Sequence, residues 1–471
     1  MTAAAPWVGE AGMDGAERNR RAGQARDLVP TLAAEGVRLV ALTWVDNAGI
    51  TRVKAVPLDR LEAAAGWGVG MSPVFDVFVL DDSITTSRWI GGPGGDLRLH
   101  PDLSMLRPLA GQPSWAWAPV DRYTQEGEVH PACQRTFARR MAGVARDRGI
   151  ELRMAFEIEW FVGREEADGT VLPACSGPAY GMTRVVELSG YLADLVAALD
   201  AQEVEVEQFH PEYAPGQLEL SVAATDPVRA ADLNVLVRQT IRAVSEQHGL
   251  RASFAPVVVA GQVGNGGHVH LSAWQDGANL LAGGDRRYGM TAAGESFLAG
   301  ILQALPALCA VGAPSVASYL RLVPSHWAGC WGCWGRENRE AALRFVTGAA
   351  GSEPTAANAE VKCFDAAANP YLLAGCLIAH GLAGLAAGGE LPAEIEGDPA
   401  LADPAELRRL GVSRLPQSLP EAVDHLQRDT VLADAMGGPL FESFLAVRRA
   451  EVDLLADRSP DEIVTATRWK H

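Results

Sequence analysis

Two glutamates stand two positions apart in the apolar segment MAFEIEWFV, residues 154–162. Successive side chains of a strand point to opposite faces, so Glu157 and Glu159 share one face and residues 156, 158, 160 and 162 share the other. Two carboxylates in so apolar a strand suffer desolvation and mutual repulsion unless a cation lies between them. A solvated edge strand is the alternative, but bulky apolar residues on both faces favour a cation site.

Two further glutamates flank a turn. Glu212 and Glu219 stand on either side of the sequence Ala-Pro-Gly-Gln at 214–217. Such a turn reverses the chain and can bring both carboxylates to one point. Taken alone, either glutamate is more often structural than a ligand.

Histidines repeat the same spacing in GNGGHVHLS, residues 264–272. His268 and His270 fall on one strand face, and the preceding glycines let the backbone approach a ligand closely. A lone His-x-His pair also fits core histidines with hydrogen-bond partners. Glu360 follows, beside Lys362, in NAEVKCFD. Five glutamates and one histidine form an oxygen-rich ligand set, which suits Mg²⁺ or Mn²⁺ better than structural zinc.

Arginines cluster in the aromatic-rich stretch Ser318–Phe345. They are Arg321, Arg336, Arg339 and Arg344. Guanidinium groups bind carboxylate and phosphate with planar geometry and can neutralise a transferring phosphoryl group. The alternative is a surface ion-pair network with Glu337 and Glu340, in which Arg344 pairs with Glu340 one helical turn away.

In their order along the chain, these motifs resemble those of glutamine synthetase, type I. The motifs are Glu-x-Glu; His-x-Glu with Ala-Pro-Gly-Gln-x-Glu; Gly-x-Gly-x-His-x-His-x-Ser; Arg-Leu-Val-Pro; Asn-Arg-x-x-x-x-Arg; and Glu-Val with Ala-Asn-Pro-Tyr. The resemblance runs from about Val37 to Glu451. Separate motifs in the right order argue against chance.

The resemblance implies an α+β fold, with a small N-terminal β-grasp domain and a large catalytic domain built on an antiparallel sheet. It implies a homo-oligomer, a dodecamer of two hexameric rings, with active sites between neighbouring subunits. The implied reaction forms an amide at the cost of ATP. ATP phosphorylates the γ-carboxylate of glutamate, and an amine attacks the γ-glutamyl phosphate.

Carried over residue by residue, the resemblance implies two metal ions that neutralise ATP oxygens and clamp the phosphoryl group. The implied ligands are Glu159, Glu212 and Glu219 for one ion, and Glu157, His268 and Glu360 for the other. The positions that match nucleotide contacts are Glu207, His270, Ser272, Arg339 and Arg344. The positions expected at the substrate are Gly264, Arg321, Trp327, Arg339 and Lys362. Among these, Arg321, which matches the grip on the α-carboxylate, Arg339, near the transferred phosphate, and Lys362 are the catalytic candidates.

The acceptor side departs from the family. An acidic residue that binds ammonium and takes its proton normally follows Arg-Leu-Val-Pro-Gly-Tyr, but this segment reads Arg321-Leu-Val-Pro-Ser-His-Trp327. An indole cannot accept a proton. The family's Phe-Asp-Gly-Ser-Ser loop is also missing, and Asp76 is the nearest candidate substitute for its aspartate. An organic amine, apolar or aromatic, therefore fits better than ammonia. The alternative for Trp327 is a side chain packed in the core.

The residues expected to bind the carboxylic acid substrate depart less from the family pattern. Lys362 replaces the family's arginine, which keeps the charge and loses bidentate geometry. The family's Asn-Gly pair reads Val263-Gly264. Glutamate stays the leading acid because Arg321 and Arg339 are present.

The expected function is therefore ligation of glutamate to an organic amine. Two alternatives stay open: ligation of another carboxylic acid, or a catalytically silent scaffold or regulator, against which the six retained ligand positions argue. Regulation by adenylylation is not expected, because residues 388–399 contain no tyrosine.

Several elements must position these residues. We expect a tail and short helix over 1–33, a β-grasp domain over 34–127 and the catalytic domain over 128–471. Strands at 37–45 and 50–56, joined by Asp-Asn-Ala-Gly, predict a hairpin. The apolar stretch 371–387 carries a histidine and several glycines, and predicts a buried helix rather than a bilayer span.

Composition narrows the partners and the compartment. The 471 residues carry a formal charge of −18, which disfavours nucleic acid and anionic membranes as partners. Apolar residues make up 48%, enough for a sizeable core. Seven scattered cysteines, including the isolated pair Cys330 and Cys333, do not form a disulfide pattern and indicate reduced thiols. We expect a cytoplasmic protein whose partners are small-molecule substrates.

Overall fold

The computed structural model describes residues 12–471, which form helices and strands in an α+β arrangement. The first helix, α1, spans Gly15–Ala34 and begins at Asp14, whose side chain accepts a hydrogen bond from the Glu17 N–H. It is longer than the short helix expected there. Residues 1–11 of the expected tail lie outside the described residues.

The first sheet has the strand order β2-β1-β6-β4-β3, with β5 paired to β6. Its elements are β1 Leu39–Val45, β2 Thr51–Pro57, α2 Leu61–Trp67, β3 Val69–Met71, β4 Leu97–Pro101, β5 Arg107–Pro108 and β6 Trp115–Thr124. Strands β1 and β2 form the predicted hairpin, with Val45 opposite Thr51. Because this sheet ends at Thr124, we propose the domain boundary at residues 127–128.

The remaining strands form two further sheets, ordered β10-β11-β8-β12 and β14-β13-β17-β16-β15. The strands are β7 Glu151–Phe156, β8 Ile158–Glu165, β9 Val171–Pro173, β10 Val206–Pro211, β11 Gln217–Val222, β12 Arg251–Ser253, β13 Val269–Gln275, β14 Ala278–Asn279, β15 Trp331–Arg336, β16 Ala341–Val346 and β17 Asn358–Val361. Pairing within them is antiparallel except between β15 and β16, which run parallel.

The prediction of one continuous strand over 154–162 is wrong. The chain breaks at Glu157 and changes sheets, since β7 pairs with β13 whereas β8 pairs with β11 and β12. At the break the Glu157 N–H donates to the His268 carbonyl at 2.9 Å. The predicted apolar face is nevertheless buried from Phe156 to Val162. The break therefore places the two glutamates where two sheets meet.

Two apolar helices pack against each other behind the sheets. The helices after β6 are α3 Gln134–Asp147, α4 Met182–Glu187, α5 Ser189–Ala201, α6 Pro227–Gln247, α7 Ala292–Gly312, α8 Ser318–Arg321, α9 Glu353–Ala356, α10 Pro370–Ala387, α11 Pro404–Arg409, α12 Leu419–Arg428, α13 Thr430–Met436, α14 Gly438–Leu455 and α15 Pro460–Thr467. By length and composition alone α7 and α10 could cross a membrane, but most of each is buried inside the protein. A Cβ on Gly300 would lie 2.6 Å from the Gly384 Cα, so these glycines permit the close helix contact. The buried helix predicted at 371–387 is confirmed.

Asp76 belongs to the packing of the first sheet rather than to an ammonium pocket. Its side chain is fully buried. One carboxylate oxygen accepts from Arg122 at 2.6 Å, and the other lies 3.0 Å from the His130 Nε2. Burial opposes ionisation, but the charge of Arg122 holds the pKa of Asp76 below its usual value. The suggestion that Asp76 substitutes for the missing aspartate is therefore wrong.

Candidate active site

Carboxylates and imidazoles converge where the second and third sheets meet. In each of two groups, the potential ligand atoms lie within 4.8 Å of one another. The groups are Glu157 with His270 and Glu360, and His210 with Glu212 and Glu219. All five glutamates expected at the metal site belong to these groups or lie beside them.

The first group is built on β13 and β17, whose register sets His270 opposite Glu360. His268 precedes β13, and its Nδ1 lies 2.9 Å from a Glu157 oxygen and 3.2 Å from a Glu360 oxygen. The His270 Nε2 lies 3.5 Å from the same Glu157 oxygen. The predicted set of Glu157, His268 and Glu360 is therefore in one place, and His270 joins it.

The second group is built on β10 and β11, whose register sets His210 opposite Glu219. The His210 Nε2 lies 3.1 Å from a Glu219 oxygen, and its Nδ1 lies 3.6 Å from a Glu212 oxygen. Glu159 lies opposite Glu219 in the register of β8 and β11. His210 is not among the ligands expected from the sequence, although the spacing His-x-Glu could indicate it.

Glu159 connects the two groups. One oxygen accepts a hydrogen bond from the Gln217 amide at 3.0 Å, and the other lies 3.8 Å from the His268 Nε2. Gln217 also donates to the Gly264 carbonyl at 2.9 Å. A Cβ on Gly264 would lie 2.0 Å from the Pro256 carbonyl oxygen, so only glycine fits there.

Burial and crowding shift the pKa values of the carboxyl groups in this cluster in different directions. Burial and the neighbouring Glu157 carboxylate raise the pKa of Glu219 far above its usual value. Burial also raises the pKa of Glu159. Burial opposes ionisation of Glu157 as well, but His268 holds its pKa well below the usual range. Such crowded, oxygen-rich donors fit hard divalent cations, which would relieve the repulsion.

A cavity of about 340 Å³ opens beside the cluster and contains the expected substrate residues. Arg321 lines it and is fixed from behind, because its Nη2 donates to the Lys362 carbonyl at 3.1 Å and the Phe364 carbonyl at 2.6 Å. The Lys362 Nζ donates to Glu360 at 3.0 Å. Arg321, Lys362 and Gly264 therefore line one cavity next to the acidic cluster, together with Arg339.

A second cavity, of about 470 Å³, shares Glu157, Trp327 and Arg339 with the first and adds Arg344 and His270. The proposed ion pair between Arg344 and Glu340 is wrong, because this segment is the strand β16 and not a helix. Arg344 instead pairs with Glu360 at 2.9 Å and with Glu337 at 2.7 Å.

Two residues expected at the nucleotide, Glu207 and Ser272, line neither cavity. Glu207 is exposed at a bulge of β10 and lines neither cavity. Ser272 is buried, and its hydroxyl accepts a hydrogen bond from the Trp274 indole at 2.9 Å. Neither residue contacts the cluster in this structure.

Three aromatic side chains project at the first cavity. Trp327 is 57% exposed, Tyr213 59% and Tyr180 49%. The alternative that Trp327 packs in the core is therefore wrong. The Tyr180 hydroxyl donates to Glu212 at 2.9 Å. Neither tyrosine is among the residues expected from the sequence, because no motif or periodic pattern of residues surrounds them.

Known proteins match this chain over most of its length. Residues 131–465 match the family model described as "Glutamine synthetase, catalytic domain". A protein of Streptomyces coelicolor named "Gamma-glutamylpolyamine synthetase GlnA3" is 59% identical over 93% of this chain and 95% of its own. A "Glutamine synthetase" of Methanocaldococcus jannaschii is 30% identical over 88% of this chain and 92% of its own.

Solved structures are similar as well. "Crystal structure of novel glutamine synthase homolog" superposes with a TM-score of 0.82 at 34% identity, over 92% of this chain and 99% of that one. "GmaS/ADP complex-Conformation 1" superposes with a TM-score of 0.80 at 27% identity, over 92% and 97%. These likenesses confirm the α+β fold expected from the motifs. The chain belongs to the glutamine synthetase family.

Proposed function

We propose that this ATP-dependent carboxylate–amine ligase joins the γ-carboxyl group of glutamate to a primary amino group of a polyamine. The observation that carries the proposal is Trp327, which projects into the cavity at the position where the family has an acidic residue. With an indole in place of that carboxylate, the site loses a group that binds ammonium and takes its proton. An organic amine gains apolar and aromatic contact there instead.

Aromatic and acidic groups at the cavity support a cationic acceptor with a carbon chain. Ammonium groups are attracted to the faces of tryptophan and tyrosine rings, and Trp327, Tyr213 and Tyr180 are all exposed at this cavity. Methylene groups between the ammonium groups pack on the same rings. The 59% identity to a protein named as a γ-glutamylpolyamine synthetase points to the same substrate class.

The donor set supports Mg²⁺ or Mn²⁺ as the resident ions. Glu159, Glu212 and Glu219, with His210 beside them, would hold one ion. Glu157, His268 and Glu360, with His270 beside them, would hold the other. Ions bound there would neutralise the phosphate oxygens of ATP during phosphoryl transfer.

The basic residues divide the work around these ions. Arg321 is held rigidly by two carbonyl groups, so its remaining donors are positioned to bind the α-carboxylate of glutamate. Arg339 lines both cavities and can reach the phosphoryl group passing between them. Lys362 donates a hydrogen bond to Glu360 and adds positive charge beside the proposed glutamate substrate. Arg344 in the second cavity would bind the nucleotide phosphates.

For assembly and location, we propose the dodecamer of two hexameric rings and a cytoplasmic site. β2 lies at the edge of its sheet, and Val53, Ile84 and Trp89 are exposed apolar side chains of the same part of the chain. All seven cysteines are free and buried, which suits a reducing compartment. Light scattering of the purified protein tests the stoichiometry.

The experiment that tests the function compares acceptors at fixed glutamate, ATP and Mg²⁺. Phosphate release is measured with ammonia, alkyl monoamines, putrescine, spermidine and spermine, and products are identified by mass spectrometry. We expect kcat/KM to be highest for a polyamine, with a product equal in mass to glutamate plus the amine minus water. Glutamine formed from ammonia as the fastest reaction would contradict the proposal.

A further inference from the structure

Two acidic side chains lie behind the cavity wall that carries Trp327. Glu340 is 5% exposed, and one of its oxygens accepts a hydrogen bond from the Trp327 N–H at 2.7 Å. Asp398 accepts a hydrogen bond from the Ser325 hydroxyl at 2.7 Å. Because Ser325, His326 and Trp327 all line the first cavity, both carboxylates are next to the space that an acceptor would occupy.

Asn338 fixes the two carboxylates relative to each other. Its amide nitrogen donates to the carbonyls of Ile395 at 2.7 Å and Gly397 at 3.0 Å. Its amide oxygen accepts from the Glu340 N–H at 3.0 Å. The loop that ends at Asp398 is therefore tied to the segment that carries Glu340, and Asp398 stays partly exposed.

The charge of Glu340 is only partly compensated within the described residues, by the N–H groups of Trp327 and Ser325 and by His326. Its second oxygen is buried and has no hydrogen-bond partner among residues 12–471. Burial raises the pKa of Glu340, and the nearby negative charge of Asp398 adds to the effect. A buried carboxylate oxygen without a partner costs free energy, which a cation close by would recover.

We propose that Glu340 and Asp398 form an anionic subsite for the ammonium group at the far end of the acceptor amine. This inference rests on the proposed polyamine ligation and assigns the end of the substrate that does not react. The reacting amino group lies toward the acidic cluster, and the chain passes Trp327 toward the rim. Asp398 contacts the distal ammonium group directly. Glu340 attracts the same ammonium group from behind the cavity wall without contacting it, because a charge in a medium of low dielectric constant acts over several ångströms.

The test compares putrescine with 1-butylamine, which has the same carbon chain and lacks the distal ammonium group. Glu340→Gln and Asp398→Asn keep the shape and a hydrogen-bond acceptor, so the loop that carries Trp327 stays held. We expect the KM for putrescine to rise about tenfold in each variant, as for removal of one partner of a charge pair. The KM values for 1-butylamine, glutamate and ATP stay unchanged. Asp434→Asn removes an exposed charge of α13 that lines neither cavity, and serves as the control.

Two results would overturn the subsite. An equal rise in KM for putrescine and 1-butylamine would assign Glu340 and Asp398 to holding the loop alone. An unchanged KM for putrescine in both variants would remove any role in binding. The polyamine proposal itself is tested with the unmodified enzyme. If that enzyme prefers 1-butylamine to putrescine, both the polyamine proposal and the subsite are contradicted.

Discussion

Glu219 lies directly opposite Glu159 across β11 and β8, and both side chains are buried. Burial raises the pKa of each carboxyl group, and neighbouring glutamates, Glu157 and Glu212 among them, raise it further. Burying these carboxyl groups together costs free energy, which a cation bound at the proposed site would recover. Because metal binding and folding stability both depend on these carboxyl groups, one unfolding experiment can measure both.

Glu219→Gln is expected to stabilise the metal-free protein by about 1 kcal/mol, because it removes a buried carboxyl group that has to stay protonated in the fold. The same change is expected to abolish most of the stabilisation that Mg²⁺ gives. Thermal unfolding with EDTA and with Mg²⁺ measures both effects. Glu353→Gln, at a partly exposed site on α9, is the control. A variant that gains as much stability from Mg²⁺ as the unmodified protein would contradict the assignment.

Arg321→Lys is expected to raise the KM for glutamate about tenfold and to leave the KM for ATP unchanged, because lysine cannot bind a carboxylate in bidentate fashion. Arg414→Lys is a matched control. Arg414 also donates to two carbonyls, those of Cys330 and Leu322, but it lines neither cavity. Steady-state kinetics with glutamate and ATP varied in turn make the measurement. Equal effects of the two substitutions would place Arg321 in packing alone.

Trp327→Glu is expected to move the acceptor preference from polyamines toward ammonia. The new carboxylate restores a group that binds ammonium and accepts a proton, and the aromatic contact with the carbon chain is lost. We expect kcat/KM for the polyamine to fall at least about tenfold. Trp67→Glu, at a comparably exposed tryptophan outside both cavities, is the control. Unchanged ratios of polyamine to ammonia turnover would show that Trp327 does not select the acceptor.

Much of the site could be predicted because its residues lie on strands with a fixed alternation. His268 and His270, or Glu212 and Glu219 about a turn, have spacings that place side chains together whatever the rest of the fold. The break at Glu157 could not be predicted, since it depends on β7 and β8 pairing with different sheets. Local sequence does not determine which strands pair with each other in the folded protein.

The helical pairing assumed for Arg344 failed for the same reason. Its segment pairs with β15 and β17, and these long-range partners decide its conformation. Tyr180 and Tyr213 were missed because an exposed aromatic residue in a loop has no periodicity around it. Glu340 was visible only as one charge among several, and its buried position behind Trp327 depends on the fold of two distant loops.

The last prediction concerns pH and Glu451, which is fully buried on α14 and lies 3.1 Å from Arg448. Burial raises the pKa of Glu451 to about 7 even though Arg448 opposes the shift. The folded protein therefore keeps a proton that the unfolded chain releases near pH 4.3. This contribution to stability is complete below that pH and is lost as the pH rises through 7. Glu451→Gln, which stays neutral, is expected to match the unmodified protein at about pH 4 and to be more stable by about 3 kcal/mol at about pH 8. Denaturant unfolding at both pH values measures the difference, and a variant less stable at pH 8 would show that the charged pair with Arg448 is favourable.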